Sequence, residues 1–422
     1  MAFNDLGLSP ELLQALKPKT YPAPTPVQQE FIPFALSGRD VWVTAPTGSG
    51  KTLAYALPLI EHLLQASAAG RSSVAFEKST QKIQALVLVP TRELAIQVGQ
   101  TFMSLTAHWG KQFKVTVVFG GVSINPQMMG LRGGTDLLIA TPGRLLDLLD
   151  HNALKLNNIR SLVLDEADKL LELGFQEELQ RVLQALPIQR QNLFLSATRP
   201  SSVEALALSL LNKPHQISIE GEKPQPSVIV QRAIFTDTSM RTQLLKHLIQ
   251  DQKLQQVLVF VATQHHCDIV AAKLRVAGIS AEPFHGQLSQ GKRQQVLADF
   301  KAHRVKVVLA TDLASRGLDI EKLPVVVNFD LPRSAVDYTH RIGRTGRAGQ
   351  PGLAISFVCP SSLQHWYLIE KRHAVKLEKE TLLGFEATQE MPAPLDNAGG
   401  IKGKRPSKKD KLRQLAAKQG TA

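Results

Sequence analysis

The stretch Ser161-Leu-Val-Leu-Asp-Glu-Ala-Asp168 decides how this chain reads. Its apolar half is short and closed by charged residues, the pattern of a strand buried on both faces of a sheet. It delivers Asp165 and Glu166 at its carboxyl end and runs straight into a helical pattern expected over residues 169–186. In a parallel α/β sheet, ligands bind at the carboxyl ends of strands. A carboxylate there can hold Mg²⁺ while its neighbour orients or deprotonates water. Carboxylates that merely complement the positive end of a helix dipole would look the same, so the meaning of the pair depends on what the rest of the chain brings to it.

On either side of this stretch lie further short apolar runs: Val41-Trp-Val, Ala85-Leu-Val-Leu-Val, Val115-Thr-Val-Val-Phe, Asp136-Leu-Leu-Ile-Ala and Asn192-Leu-Phe-Leu. Helical patterns separate most of them, which predicts a mostly parallel sheet covered by helices on both faces. Before them, helical periodicity from Phe3 to Leu36 is broken by Tyr21-Pro-Ala-Pro-Thr-Pro26, since closely spaced prolines remove donors and constrain their neighbours. The small and polar segment Ala66–Lys82 reads as a surface loop. Around Pro214, Gly221, Pro224 and Pro226 the periodicity fails, and the alternation resumes with Val257-Leu-Val-Phe-Val, Ile279 to Phe284, Val305 to Ala310, Val325 to Phe329 and Leu353 to Val358. The expected organisation is one α/β domain over residues 1–212, a linker over 213–227, a second α/β domain over 228–389 and a disordered basic tail over 390–422.

The first strand is followed by Ala45-Pro-Thr-Gly-Ser-Gly-Lys-Thr52. A glycine-rich turn between strand and helix lets backbone N–H groups approach phosphate oxygens. Lys51 adds a positive charge and the Thr52 hydroxyl can ligate Mg²⁺. Ala45 stands where the usual phosphate-loop pattern begins with glycine. With this loop upstream, Thr52 and Asp165 fit as the one or two protein ligands that Mg²⁺ takes beside phosphates and waters, and Glu166 is left to act on water. Other strand ends of the first half carry Pro90-Thr-Arg-Glu-Leu94, Gly120-Gly121, Thr141-Pro-Gly-Arg144 and Ser196-Ala-Thr198. Hydroxyls, glycine N–H groups and arginines suit a nucleic-acid backbone without reading its bases.

The second half carries Phe260-Val-Ala-Thr263, His285-Gly286, Ala310 to Ile320 and His340-Arg-Ile-Gly-Arg-Thr-Gly-Arg347 at its strand ends, with no second phosphate loop. It therefore reads as a domain that completes a site. Arg344 and Arg347, three apart on an expected helix, would project to one face and meet a γ-phosphate from across the interface, a contribution of about 10³ to 10⁵ in rate in phosphoryl transfer.

Composition agrees. The chain has 422 residues and a formal net charge of +13, enough for two domain cores and suited to a polyanionic partner. Its two cysteines, Cys267 and Cys359, lie far apart and indicate neither a disulfide framework nor a zinc site. No apolar run is long enough to span a bilayer, and the N-terminus lacks the look of a signal peptide, so a cytoplasmic location is expected.

In order and spacing, Thr20 to Gln28, Ala45 to Thr52, Pro90 to Leu94, Thr141 to Arg144, Asp165 to Asp168, Ser196 to Thr198, Ala310 to Ile320 and His340 to Arg347 resemble the motifs of the DEAD-box ATP-dependent RNA helicases. The resemblance spans roughly Met1 to Gln389. It implies two RecA-like domains that close on ATP and single-stranded RNA and separate short duplexes locally. ATP would be bound by Ala45, Pro46, Thr47, Gly48, Ser49, Gly50, Lys51 and Thr52, with Gln28 reading adenine, Tyr21 stacking on it, Phe3 supporting the pocket and Asp319 at the ribose. The catalytic set would be Lys51, Glu166, His340, Arg344 and Arg347, with Ser196 and Thr198 linking hydrolysis to strand separation and Asp168 coupling the domains. Arg92, Gly121, Thr141 and Arg144 from the first domain, and Thr263, Gly286 and Thr311 from the second, would hold the RNA backbone. Thr20 departs from the glycine usual at the start of the adenine-reading motif. Bacterial members related to ribosome assembly or RNA decay often carry short basic tails of this kind, and ribosomal precursors or decay proteins are the partners expected.

The tail from Met391 holds eight basic residues against two acidic ones, supplying +6 of the +13. Phosphate contacts release counterions. Truncation at Met391 is therefore expected to weaken RNA binding and to flatten its dependence on salt, measured as the slope of log affinity against log salt. An unchanged slope would reduce the tail to a solubilising segment.

Overall fold

The computed structural model describes residues 2–16, 21, 23–46, 48–71, 83–219, 229–315, 323–346, 351–373 and 375–388. The first sheet is built from β1 (Val41–Thr44), β2 (Ala85–Leu88), β3 (Val115–Val118), β4 (Leu137–Ala140), β5 (Ser161–Leu164), β6 (Gln191–Ser196) and β7 (His215–Ser218). The second is built from β8 (Ile229–Phe235), β9 (Val257–Phe260), β10 (Ala281–Phe284), β11 (Val307–Ala310), β12 (Val325–Asn328), β13 (Gly352–Val358) and β14 (Lys379–Glu380). Their orders are β3-β4-β2-β5-β6-β1-β7 and β10-β11-β9-β12-β13-β8-β14. Counted from its own first strand, each sheet follows the same order, so the two domains share one topology. Every pairing is parallel.

Side chains alternate across the first sheet as strand geometry requires. Val41, Val43, Val87 and Val163 enter the core on one face, and Trp42, Leu86, Leu88, Leu162 and Leu164 enter the core on the other. Both faces are therefore apolar, which is why these strands read as continuous hydrophobic runs.

Several expectations are corrected. The start of the stretch read as a linker is the strand β7, which pairs with β1 from Val41↔His215 to Thr44↔Ser218. Two strands, β8 and β14, were not legible as such in the sequence. The pattern over 169–186 is two helices, Ala167–Glu172 and Gln176–Gln184, separated at Gly174, whose φ of 84° is a left-handed turn that glycine adopts freely. Helix Lys51–Arg71 continues through the beginning of the expected loop. Residues 72–82, 220–228 and the tail lie outside the described residues.

A buried carboxylate fastens the edge of the first domain. Asp40 accepts from the Asn192 N–H (2.7 Å), the Asn192 amide (3.3 Å) and the Asn212 N–H (2.8 Å), joining the entry to β1, the start of β6 and the approach to β7. Asp40→Ala would strand these donors, each costing about 1–3 kcal/mol when buried and unpaired. A loss of about 3 kcal/mol or more in denaturant unfolding is expected, and a change below about 1 kcal/mol would remove this role from Asp40.

Candidate active site

The phosphate loop is a closed turn between β1 and helix Lys51–Arg71. Gly48 and Gly50 take φ of 80° and 87°, conformations open to glycine and strained for other residues. The helix Pro26–Leu36 opens with a capping box in which Thr25 and Gln28 bond reciprocally. The Gln28 amide also donates to Gly50 O at 3.1 Å, and the Thr25 hydroxyl donates to Ser49 O at 2.8 Å. A Cβ on Gly50 would come within 2.5 Å of Gln28 Nε2. The residue expected to read adenine is thus buried and bonded directly to the loop expected to hold phosphate. The Lys51 ammonium donates to Ala45 O (2.6 Å) and Pro46 O (2.8 Å). Burial pulls its pKa below the ordinary value, against the opposing charges of Asp165, Glu166 and Asp168.

The carboxylates at the end of β5 divide their partners. Asp165 Oδ1 accepts from the Glu166 N–H at 2.9 Å and Oδ2 accepts from the Tyr55 hydroxyl at 2.9 Å. Burial, with the Glu166 charge behind it, pushes the Asp165 carboxyl up to about 6, while Lys51 and Tyr55 act the other way. Burial and Asp165 also hold the Tyr55 phenol well above its usual range, so it remains a donor. Glu166 stands in the left-handed region at φ 52°, ψ 49°, a conformation costing roughly 1–3 kcal/mol for a non-glycine residue. Its Oε1 pairs with Lys169 at 2.8 Å. Its Oε2 is buried without a hydrogen-bond partner among the described residues.

Asp168 faces another strand end. Its Oδ2 accepts from both the Thr198 N–H (2.9 Å) and the Thr198 hydroxyl (2.8 Å), and the Ser196 hydroxyl donates to Thr198 O at 2.6 Å. His340, half-buried on helix Ala335–Ile342 of the second domain, is held below its ordinary pKa by burial and then by Lys169, with Asp168 opposing. His340 therefore lies within electrostatic reach of Lys169 and Asp168 of the first domain. Arg344 also acts on His340. It lies beyond Gly343, the cap of that helix, and its carbonyl accepts from the Leu323 N–H. The helical spacing argument for Arg344 and Arg347 is thereby corrected, because the helix ends first. Arg347, Asp319 and Thr47 lie outside the described residues. Phe3 packs against the first core, and Tyr21 is exposed.

The expected RNA residues occupy the same edges. Arg92 opens the helix Arg92–Thr106 and packs against Gly121, where a Cβ would come within 2.1 Å of its guanidinium. Thr141 accepts from the Gly120 N–H at 3.3 Å, and the buried Arg144 donates to Val122 O at 2.6 Å. These two therefore shape the Gly120–Val122 turn. In the second domain Thr263 caps the helix Gln264–Val276, Gly286 is exposed and Thr311 is buried at the end of β11. Behind Thr311, Arg341 binds Asp312 through two nitrogens (2.6 and 2.7 Å) and lies 4.8 Å above the Phe260 ring. Across the domains, Arg293 pairs with Glu93 at 2.9 Å, with 5% and 10% of the side chains exposed.

Two family models match the chain: the DEAD/DEAH box helicase over residues 25–206 and the helicase conserved C-terminal domain over residues 240–349. It is 40% identical to the ATP-dependent rRNA helicase rrp3 of Aspergillus niger, over 89% of this chain and 78% of that one. It is 36% identical to the DEAD-box ATP-dependent RNA helicase CshA of Bacillus cereus, over 89% of this chain and 69% of that one. The chain belongs to the DEAD-box ATP-dependent RNA helicases. Among solved structures it is similar to S. cerevisiae Dbp5 bound to RNA and ADP BeF3, with a TM-score of 0.73 and 26% identity over 90% of this chain and 95% of that one.

For a DEAD-box helicase, four residues around the candidate site were not legible from the sequence. Tyr55 bonds Asp165, Lys169 pairs with Glu166, and Glu93 with Arg293 joins the domains. Tyr55 carries one local signal: it lies one helical turn after Lys51 within an otherwise apolar run.

The raised Asp165 pKa has a definite sign. Below about 4 the carboxyl is protonated in both folded and unfolded chains. Above about 6 it is charged in the fold against its preference. At roughly 1.4 kcal/mol per pKa unit the penalty reaches ~3 kcal/mol at most. The thermal midpoint of ligand-free Asp165→Asn relative to wild type is expected to climb between pH 4 and about 6 and then level off. A pH-independent difference would contradict the assignment.

Proposed function

We propose that this chain hydrolyses ATP with Mg²⁺ as cofactor and uses the cycle to bind RNA, to separate short duplexes locally or to remodel RNA–protein assemblies. The observation that carries this reading is the cluster at the end of β5: the buried Lys51 ammonium of the phosphate loop stands in the field of Asp165, Glu166 and Asp168, Asp165 accepts from the Glu166 N–H, and Asp168 accepts from the Thr198 N–H and hydroxyl. Lys51 and the loop N–H groups bind the phosphates, and Gln28 holds the base. The buried Asp165 carboxylate and the nearby Thr52 hydroxyl make a pair of oxygen donors that fits Mg²⁺, and the buried, unpartnered Glu166 Oε2 leaves an acceptor beside them for water. When bound, Mg²⁺ supplies charge neutralisation for the β- and γ-phosphate oxygens, with Thr52 and Asp165 as its protein ligands. Glu166, held by Lys169 at one oxygen, offers the other to the attacking water. Arg344 and Arg347 stabilise charge from the second domain, and Asp319 meets the ribose.

RNA lies along Arg92, Gly121, Thr141 and Arg144 in one domain and Thr263, Gly286 and Thr311 in the other, with Ser196, Thr198 and His340 communicating between the two ligands. The name of the rrp3 relative, an rRNA helicase, together with the basic tail, favours ribosomal precursors as substrates, with RNA undergoing decay as the alternative, handled in the cytoplasm.

Glu166→Gln tests the division between the carboxylates. Loss of general-base action is worth about 10² to 10⁴ in rate. RNA-stimulated ATP turnover is expected to fall by at least about 10²-fold while ATP and RNA binding persist. Undiminished turnover would take Glu166 out of the reaction.

A further inference from the structure

Tyr55 lies on helix Lys51–Arg71, three residues beyond Thr52, and is wholly buried with its ring 6.2 Å from that of Phe102. Its apolar surroundings ask only for a ring, and phenylalanine would fill the same space. The hydroxyl must therefore be explained by what it touches, since a buried phenolic O–H needs a partner. It donates to Asp165 Oδ2 at 2.9 Å, from 110 residues away in sequence. One hydroxyl thus fastens a side chain placed at Mg²⁺ to the helix that carries the other, Thr52. The remaining Asp165 oxygen is tied to the Glu166 N–H, so the carboxylate is held at both ends and its plane is set before any ligand arrives.

We propose that Tyr55 is a positioning residue for the divalent cation of the nucleotide complex, its hydroxyl tying Asp165 to the helix that carries Thr52 so that the two ligands are presented in one fixed arrangement. The inference rests on the reading that Thr52 and Asp165 hold Mg²⁺. Mg²⁺ demands near-octahedral geometry and gives up its water reluctantly, so a ligand free to rotate binds it less well. Groups that orient metal ligands from behind change metal affinity by about 10- to 100-fold when removed.

The test measures binding, with no turnover involved. Affinity of the full-length protein for a fluorescent ADP is measured in EDTA and over a series of Mg²⁺ concentrations, for wild type, Tyr55→Phe, Asp165→Asn and the double variant. Tyr55→Phe is expected to keep the EDTA affinity while raising the Mg²⁺ midpoint by about 10-fold. In the Asp165→Asn background it should have no further effect, as it acts through that carboxylate. A Mg²⁺ midpoint within about twofold of wild type would overturn the proposal, as would an equal loss of affinity with and without metal, which marks a purely structural role. A wild-type protein whose ADP affinity ignored Mg²⁺ would overturn the metal reading beneath it.

Discussion

Parallel pairing is the constraint on which this molecule depends. Because every strand of both sheets runs the same way, all carboxyl ends of a sheet open on one edge, and whatever follows a strand is delivered there. The phosphate loop follows β1, Arg92 follows β2, Gly121 follows β3, Thr141 follows β4, Asp165 follows β5, and Ser196 ends β6. Parallel strands also need long crossovers, which place helices on both faces. The burial that follows separates the chain into apolar strands that hold the fold and polar turns that do the chemistry.

That burial made most of the fold legible in the sequence. β2, β4, β5 and β11 are buried at every position, and each stood out as an unbroken apolar run. β7 and β14 are edge strands with only one covered flank. His215-Gln-Ile-Ser218 carries a single fully buried residue and lies in proline-rich surroundings, so its sequence has the look of a linker. β8 mixes Gln231 and Arg232 into its run, the arginine being engaged by Glu380 of β14. Ala66 to Ala69 misled in the opposite direction: small residues suggested a loop, yet alanine has the best helix propensity, and the helix runs on to Arg71.

At the site, legibility followed sequence distance. The phosphate loop and the carboxylate pair are each local, so their residue types carried their chemistry. The contacts that tune them are long-range: Thr198 meets Asp168 only once β5 and β6 lie side by side, and Tyr55 meets Asp165 only once β6 also pairs with β1. Arg344 shows the limit of spacing, because Gly343 ends the helix on which the spacing was counted. Arg144 and Arg341 show the limit of residue type. Both are arginines in strand-end motifs, and both are buried, holding Val122 O in one case and Asp312 with Asn328 in the other.

The Glu93–Arg293 pair places a carboxylate beside Arg92, on the surface proposed to meet RNA. Unpaired, that carboxylate would oppose the attraction for phosphates proposed for Arg92. The second domain cancels it by bringing Arg293, whose guanidinium also rests 4.8 Å above Phe284. The electrostatic sign of the proposed RNA face of the first domain is therefore not its own property. Parting the domains would leave two opposite charges to be rehydrated and Glu93 free to offset Arg92, so on that proposal grip on RNA would rise and fall with contact between the domains even where no nucleotide is involved.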